Sequence, residues 1–102
     1  SMWVRNKDFE ITEGTLKQFI RIADSGGKIE CFFCGYCGVR IYTKPLGLNP
    51  DHIVLKPGTL DDASNLKPSA DIWLKSKQAW FQPPKDTEHF DHQPNFKEFL
   101  NI

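Results

Sequence analysis

The sequence predicts a mainly β fold, built of antiparallel sheets and ending in one short helix. Short stretches rich in β-branched and aromatic residues recur at intervals of about ten residues, and glycine or proline separates them. Before residue 95, apolar residues do not keep the 3.6-residue period of a helix over two turns. Because this spacing is typical of strands joined by tight turns, we expect hairpins and therefore antiparallel pairing.

The predicted strands all lie before residue 75, and turn residues separate them. Pro45 and Gly47 follow one strand, and Pro57 and Gly58 follow the next. The strands are expected at residues 8–12, 16–23, 28–33, 39–44, 52–56 and 71–74.

The predicted helix covers residues 95–102, with the sequence NFKEFLNI. Asn95 is a good N-cap residue and Glu98 follows it three residues later, a combination that is typical of a helix start. Phe96 and Phe99 would lie on one face. The preceding segment, FQPPKDTEHFDHQP, is polar and rich in proline, so we expect an irregular loop there.

The length and charge of the chain limit its possible functions. At 102 residues, the chain is expected to form a single domain over residues 1–102. Its 13 basic residues balance its 13 acidic residues, and a neutral protein lacks the positive surface of a nucleic-acid binder. No apolar run is long enough to cross a bilayer. Neither nucleic acid nor a membrane is therefore an expected partner.

The opening residues, SMWVRNKDF, do not resemble a secretion signal, because charged residues appear among them at once. We therefore expect a cytoplasmic protein with reduced thiols. Ser1 is interpreted as the remnant of an expression tag and Met2 as the designed start.

The segment ECFFCGYCG contains all three cysteines of the chain, Cys31, Cys34 and Cys37. Zinc takes four ligands in a tetrahedron, and two thiolates separated by two residues can reach one ion when the backbone turns tightly between them. Gly35 and Gly38 suit such a turn, since glycine allows close approach and positive φ. Cys34 and Cys37 are therefore predicted to bind zinc, with the spacing of a zinc-ribbon knuckle.

The spacing does not identify the remaining ligands. Cys31 has two interpretations: it is a third thiolate of the metal site, or it packs in the core as a small apolar residue. His52, His89 and His92 are further candidates, although no spacing requires any of them. An iron–sulfur cluster is disfavoured, because its cysteine run needs a fourth cysteine.

Several motifs follow one another in an order that resembles one enzyme family. FCGYCG is followed by GTLDD at residues 58–62, by PSADIW at residues 68–73, and then by Lys77 and Trp80. This order resembles the glutathione-dependent formaldehyde-activating (GFA) enzyme family, which includes the centromere protein V domain. The resemblance runs from about Trp3 to Asn95. It implies antiparallel sheets of the GFA, or Mss4-like, type.

The resemblance also implies zinc as a cofactor. In the family, a CxCG motif joins the FCxxCG pair around a structural zinc, and a CxCxxC motif holds the zinc used in the reaction of glutathione with formaldehyde. This sequence contains neither upstream motif, so the resemblance leads us to expect a domain truncated at its N-terminal side. Cys34 and Cys37 match the structural site, and no catalytic residue is assigned. Asp71 stands where the family often has histidine.

Two functions follow as hypotheses. The first is carbon–sulfur lyase activity, in which glutathione or a similar thiol adds to formaldehyde; it would be impaired or absent here, because the catalytic zinc cysteines are missing. The alternative is a non-catalytic, zinc-ribbon-like binding or interaction module. Loss of the family's opening strands would expose sheet edges, so a homodimer is expected. Trp73 and Trp80 are expected to fill the core.

Overall fold

The structure is a computed structural model that describes residues 1–47 and 50–101. These residues form two compact units, one over residues 1–63 and the other from residue 64 onward. The first unit contains the predicted metal-binding turn. No helix among the described residues is long and apolar enough to span a membrane. The single domain over residues 1–102 stays a prediction.

The first unit is a five-stranded sheet in which all neighbouring strands are antiparallel. This confirms the predicted mainly β, antiparallel fold. The strands are β1 Met2–Arg5, β2 Leu16–Ile22, β3 Lys28–Cys34, β4 Arg40–Pro45 and β5 His52–Leu55. Their order across the sheet is β1-β5-β4-β3-β2, so β1 and β2 form the two edges.

The prediction of a strand at residues 8–12 is wrong, since none of these residues belongs to a strand. The edge strand is instead β1, in which Trp3 lies opposite Val54 of β5. A 3₁₀ turn follows, and the Phe9 ring then packs edge-on against Tyr42 with ring centroids 5.1 Å apart. Phe9 thus packs on the sheet and does not belong to a strand. The sequence pattern of residues 8–12 is compatible with either arrangement.

The core of the sheet is small and lies in its central strands. Its buried apolar residues are Cys31, Ile53, Val54 and Leu55, and Thr43 is buried with them. Cys31 is paired with Thr43, and Thr43 with Val54, so the buried row crosses β3, β4 and β5. The edge strand β2, by contrast, is exposed after its first residue.

The second unit contains a two-stranded parallel sheet, formed by β6 Ala70–Asp71 and β7 Glu88–His89. The strand predicted at residues 71–74 is therefore shorter than expected. It could not reach residue 74, because Trp73 has a left-handed backbone with φ of 57°, a conformation that does not continue a strand. A 3₁₀ turn, Leu74–Ser76, follows.

The two tryptophans expected in the core differ in burial. Trp73 is half-buried, and its ring packs edge-on against His92 with centroids 5.3 Å apart. Trp80 is 78% exposed, so its assignment to the core is wrong. It lies outside any strand or helix, and therefore no strand alternation directs it inward.

The helix, α1, spans Phe96–Phe99 and is shorter than predicted. Asn95 is its N-cap, as predicted, and the Asn95 side-chain oxygen accepts a hydrogen bond from the Glu98 backbone N–H over 3.3 Å. Asn101 has a φ of 56°, which is incompatible with continuing the helix. Ile102, the last residue of the predicted helix, lies outside the described residues.

Candidate metal centre

The turn between β3 and β4 carries the predicted zinc ligands. The backbone N–H of Cys34 donates to the carbonyl oxygen of Val39 over 2.8 Å, and the N–H of Gly38 donates to the Cys34 carbonyl oxygen over 2.9 Å. Gly38 has a φ of 81°, which favours glycine at this position. These bonds make a tight turn in which Cys34 and Cys37 are both held near its tip.

Gly35 is needed for a different reason, the close approach of the chain that enters β2. Its N–H donates to the carbonyl oxygen of Thr15 over 3.2 Å. A Cβ atom at position 35 would lie 3.0 Å from that oxygen. Gly35 therefore allows the close contact with Thr15, and Gly38 allows the positive φ. Both keep the cysteine turn in place.

The turn stabilises the anionic form of Cys34. The backbone N–H of Tyr36 points at the Cys34 sulfur, with 3.4 Å between the nitrogen and Sγ. The pKa of the Cys34 thiol is lowered, chiefly by the backbone N–H of Cys37, then by that of Tyr36 and by the Cys37 side chain, while partial burial acts in the opposite direction. Because zinc binds thiolates, this environment favours the protonation state that a metal ligand needs.

The tip of the turn faces solvent. Cys37 is exposed and Cys34 is partly exposed, and the Tyr36 side chain between them is 99% exposed. Ligands from outside the chain can therefore approach the two sulfurs directly.

Cys31 lies in a different environment from the other two cysteines. Its side chain is fully buried, and its sulfur lies 3.9 Å from the carbonyl oxygen of Ile29. Cys31 and Cys34 are three positions apart in β3, so strand alternation places them on opposite faces of the sheet. Cys31 would reach a metal at the turn only if β3 rearranged. Its role as a ligand stays a prediction.

The histidines occupy separate surroundings. His52 is in β5, which β4 separates from β3, and its Nδ1 atom is buried without a hydrogen-bond partner among the described residues. His89 Nε2 lies 2.8 Å from the Pro84 carbonyl oxygen. In the part of the chain that the structure describes, no three or more His, Cys, Asp or Glu side chains are grouped closely enough to hold a metal ion.

The other motif residues form local structure. In the GTLDD motif, the Thr59 hydroxyl donates to the Lys56 carbonyl oxygen over 2.7 Å, which closes a 3₁₀ turn, Pro57–Thr59. Asp71 lies in β6, and its carboxylate accepts a hydrogen bond from the Thr87 hydroxyl. Both contacts are local to the turn and to the two-stranded sheet.

Two features of the sheet are not evident from motif spacing. One is the set of backbone N–H groups at Tyr36 and Cys37 that solvate the Cys34 sulfur. In the sequence, only the neighbouring Gly35 and Gly38 indicate a turn that could place them there. The other is a row of basic side chains on one sheet face, which includes Lys17 and Arg21. Their spacing of four residues in a predicted strand indicates a shared face.

The sequence matches the family model described as glutathione-dependent formaldehyde-activating enzyme over residues 1–76. The matched region includes the turn with Cys34 and Cys37, the motif at residues 58–62, and β6. It ends before Trp80. No curated protein and no solved structure matches the chain.

Proposed function

The chain belongs to the glutathione-dependent formaldehyde-activating enzyme family, and from this we propose that Cys34 and Cys37 form half of a zinc site. The activity of this family is formaldehyde activation, and its members are generally zinc-dependent. The observation that carries the proposal is the Cys34 sulfur, toward which the turn directs backbone N–H groups. Backbone N–H groups lower the pKa of a metal-binding cysteine and orient its sulfur.

A second copy of the chain would supply the other half of the site. Zinc in a structural site takes four ligands, and the exposed tip of the turn offers two thiols, Cys34 and Cys37. Two chains that meet tip to tip would give four thiolates around one ion. The expected assembly is thus a homodimer that contains about half a zinc ion per chain. Cys31 is the third candidate ligand and would join only after β3 rearranges.

We expect this chain by itself to have little or no carbon–sulfur lyase activity. Zinc, when bound near a substrate, polarises a carbonyl group or lowers the pKa of a thiol. In the family, the zinc that takes part in the reaction is held by a CxCxxC motif, which this sequence lacks. The function we favour is accordingly a zinc-dependent binding module in the cytoplasm, which retains glutathione or a similar thiol as its candidate ligand.

The experiment that tests this combines activity with assembly. Proton NMR follows adduct formation between glutathione and formaldehyde with and without the zinc-loaded protein. A rate equal to the uncatalysed rate supports the binding module, whereas a rate well above it supports the lyase. Light scattering in zinc and in a chelator measures the assembly; a dimer that becomes a monomer in chelator supports the shared site. A monomer in both would contradict it.

A further inference from the structure

The edge strand β2 is exposed along almost its whole length. Phe19, Ile20 and Ile22 are 44%, 52% and 62% exposed. β2 pairs with β3 on one side, and no strand among the described residues pairs with it on the other. A long exposed edge with apolar side chains is a template for pairing with another chain.

The hydrogen bonds at both ends of β2 show which backbone groups point outward. Just before β2, the Thr15 carbonyl oxygen accepts a hydrogen bond from the Gly35 N–H. Just after it, the Ala23 N–H donates to the Gly27 carbonyl oxygen, and the Ala23 carbonyl oxygen accepts from the Gly26 N–H. Since inward and outward residues alternate in an antiparallel ladder, odd-numbered residues from 15 to 23 face β3. The N–H and C=O groups of residues 16, 18, 20 and 22 therefore point away from the sheet.

One face of the sheet beside this edge is basic. Lys17, Phe19 and Arg21 share a face with Cys31 and Phe33, because paired residues lie on the same side. We call this the Cys31 face. Arg40, which is paired with Phe33, lies on it too. Its guanidinium carbon is 5.5 Å from the centroid of the Phe19 ring.

No acidic side chain offsets these charges within the sheet. Glu30 is the only acidic residue in β1 to β5, and it is paired with Ile20 and Lys44 on the opposite face. Among the described residues, Lys17, Arg21 and Arg40 form no ion pair. Burial lowers the pKa of Lys56, and the charges of Arg40 and Arg21 add to that effect while Cys31 opposes it.

We propose that β2 receives an extended acidic segment of a partner protein as an additional strand of the sheet. Residues 16, 18, 20 and 22 would form the main-chain hydrogen bonds, as in other cases of strand addition. Alternate residues of the segment would be acidic and would face Lys17, Arg21 and Arg40. The residues between them would be apolar or β-branched and would pack against Ile20 and Ile22.

Charge makes a second copy of this chain a poorer occupant. Consider the antiparallel pairing of two β2 strands that matches all seven residues. Leu16 of each copy would lie opposite Ile22 of the other, and Lys17 of each copy would lie opposite Arg21 of the other. Like charges directly opposite each other destabilise a strand pair. An acidic segment replaces this repulsion with attraction.

A labelled peptide tests the proposal. A capped peptide of about eight residues that alternates glutamate and threonine is long enough to cover β2. Its fluorescence anisotropy is measured with the full chain, beside a peptide with lysine in place of each glutamate. We expect the acidic peptide to bind at least about tenfold more tightly than the basic one, and its affinity to fall as salt rises. Equal binding of the two, or no binding of the acidic peptide, would overturn the proposal.

Two pairs of variants locate the site. Ile20→Pro removes an outward N–H, a change that edge strands tolerate, whereas Ile20→Thr keeps that N–H. The double variant K17E/R21E reverses charge on the Cys31 face, whereas Lys28→Glu reverses it on the opposite face without placing a carboxylate opposite Glu30. We expect Ile20→Pro and K17E/R21E to weaken binding at least about tenfold and their controls to change it less than about threefold. Equal effects of variant and control would contradict the site. If the protein self-associates and Ile20→Pro dissociates it, the edge strand binds a second copy of the chain and not an acidic segment, which would overturn the proposal.

Discussion

The backbone N–H of Tyr36 points at the sulfur of Cys34 across 3.4 Å, so the turn itself solvates a thiolate at that position. Gly38 is in the left-handed region and Gly35 lies against the entry to β2. The conformation that favours a thiolate is therefore imposed by the hairpin and by its contact with a neighbouring strand.

Gly35→Ala should destabilise the protein by about 1–2 kcal/mol. The added Cβ would lie 3.0 Å from the Thr15 carbonyl oxygen, which the position-35 N–H also binds, so the oxygen cannot move away freely. Urea denaturation measures the change. Gly58→Ala is the matched control, because its Cβ would meet nothing within 4 Å, and it should be close to neutral. Equal losses for the two variants would contradict the contact.

The Cys34 thiol should react with iodoacetamide at a lower pH than an ordinary cysteine does, because N–H groups of the turn lower its pKa. Folding then favours the thiolate. The stability this adds is fully present above the ordinary thiol pKa, and it is lost as pH falls through the lowered value. Peptide mapping by mass spectrometry gives the alkylation rate of Cys34 against pH in metal-free protein. A midpoint at or above the ordinary thiol pKa would count against this account.

Tyr42 should ionise at higher pH than an ordinary tyrosine. Burial raises its pKa, and the charge of Glu30 adds to the effect; its ring also stacks on Phe32 with centroids 4.4 Å apart. The folded state should lose stability as pH rises from the ordinary tyrosine pKa through the raised one. Ultraviolet absorbance titration of the protein and of Tyr42→Phe isolates this ionisation. Glu30→Gln should lower the midpoint, and an unchanged midpoint would exclude the Glu30 contribution.

Cys31→Ala should reduce the free energy of unfolding by about 1–2 kcal/mol, because Cys31 is fully buried in the centre of the sheet. Its zinc content should equal that of the unchanged protein if the residue only packs. Denaturation and metal analysis of the same sample give both quantities. A large loss of zinc with little loss of stability would instead identify Cys31 as the third thiolate.

The sequence predicts the strands β2 to β5 well, because each is a short run rich in β-branched or aromatic residues between segments that contain glycine or proline. It does not predict β1, since Met2–Arg5 becomes a strand through β5, about fifty residues away in the chain. The pattern of residues 8–12 is as favourable to a strand, yet Phe9 packs on Tyr42 instead.

The candidate metal site also has one part that the sequence predicts and one part that it does not. The spacing of Cys34 and Cys37 and the adjacent glycines predicts a tight turn, because these are local properties of the chain. Spacing places Cys31 and Cys34 on opposite faces only if the strand continues as far as Cys34. That extent depends on the pairing of β3 with β2, which the spacing does not contain. The exposure of Trp80 likewise reflects its place outside regular structure, which a family motif does not reveal.

The most direct test of the central claim is the zinc content per chain, measured by mass spectrometry on protein purified without added zinc or chelator. We predict about half a zinc ion per chain in the unchanged protein and in Cys31→Ala, and almost none in Cys34→Ser/Cys37→Ser. Zinc at the unchanged level in Cys34→Ser/Cys37→Ser would contradict the claim that these two cysteines hold the metal. Absence of zinc from the unchanged protein would contradict it as well.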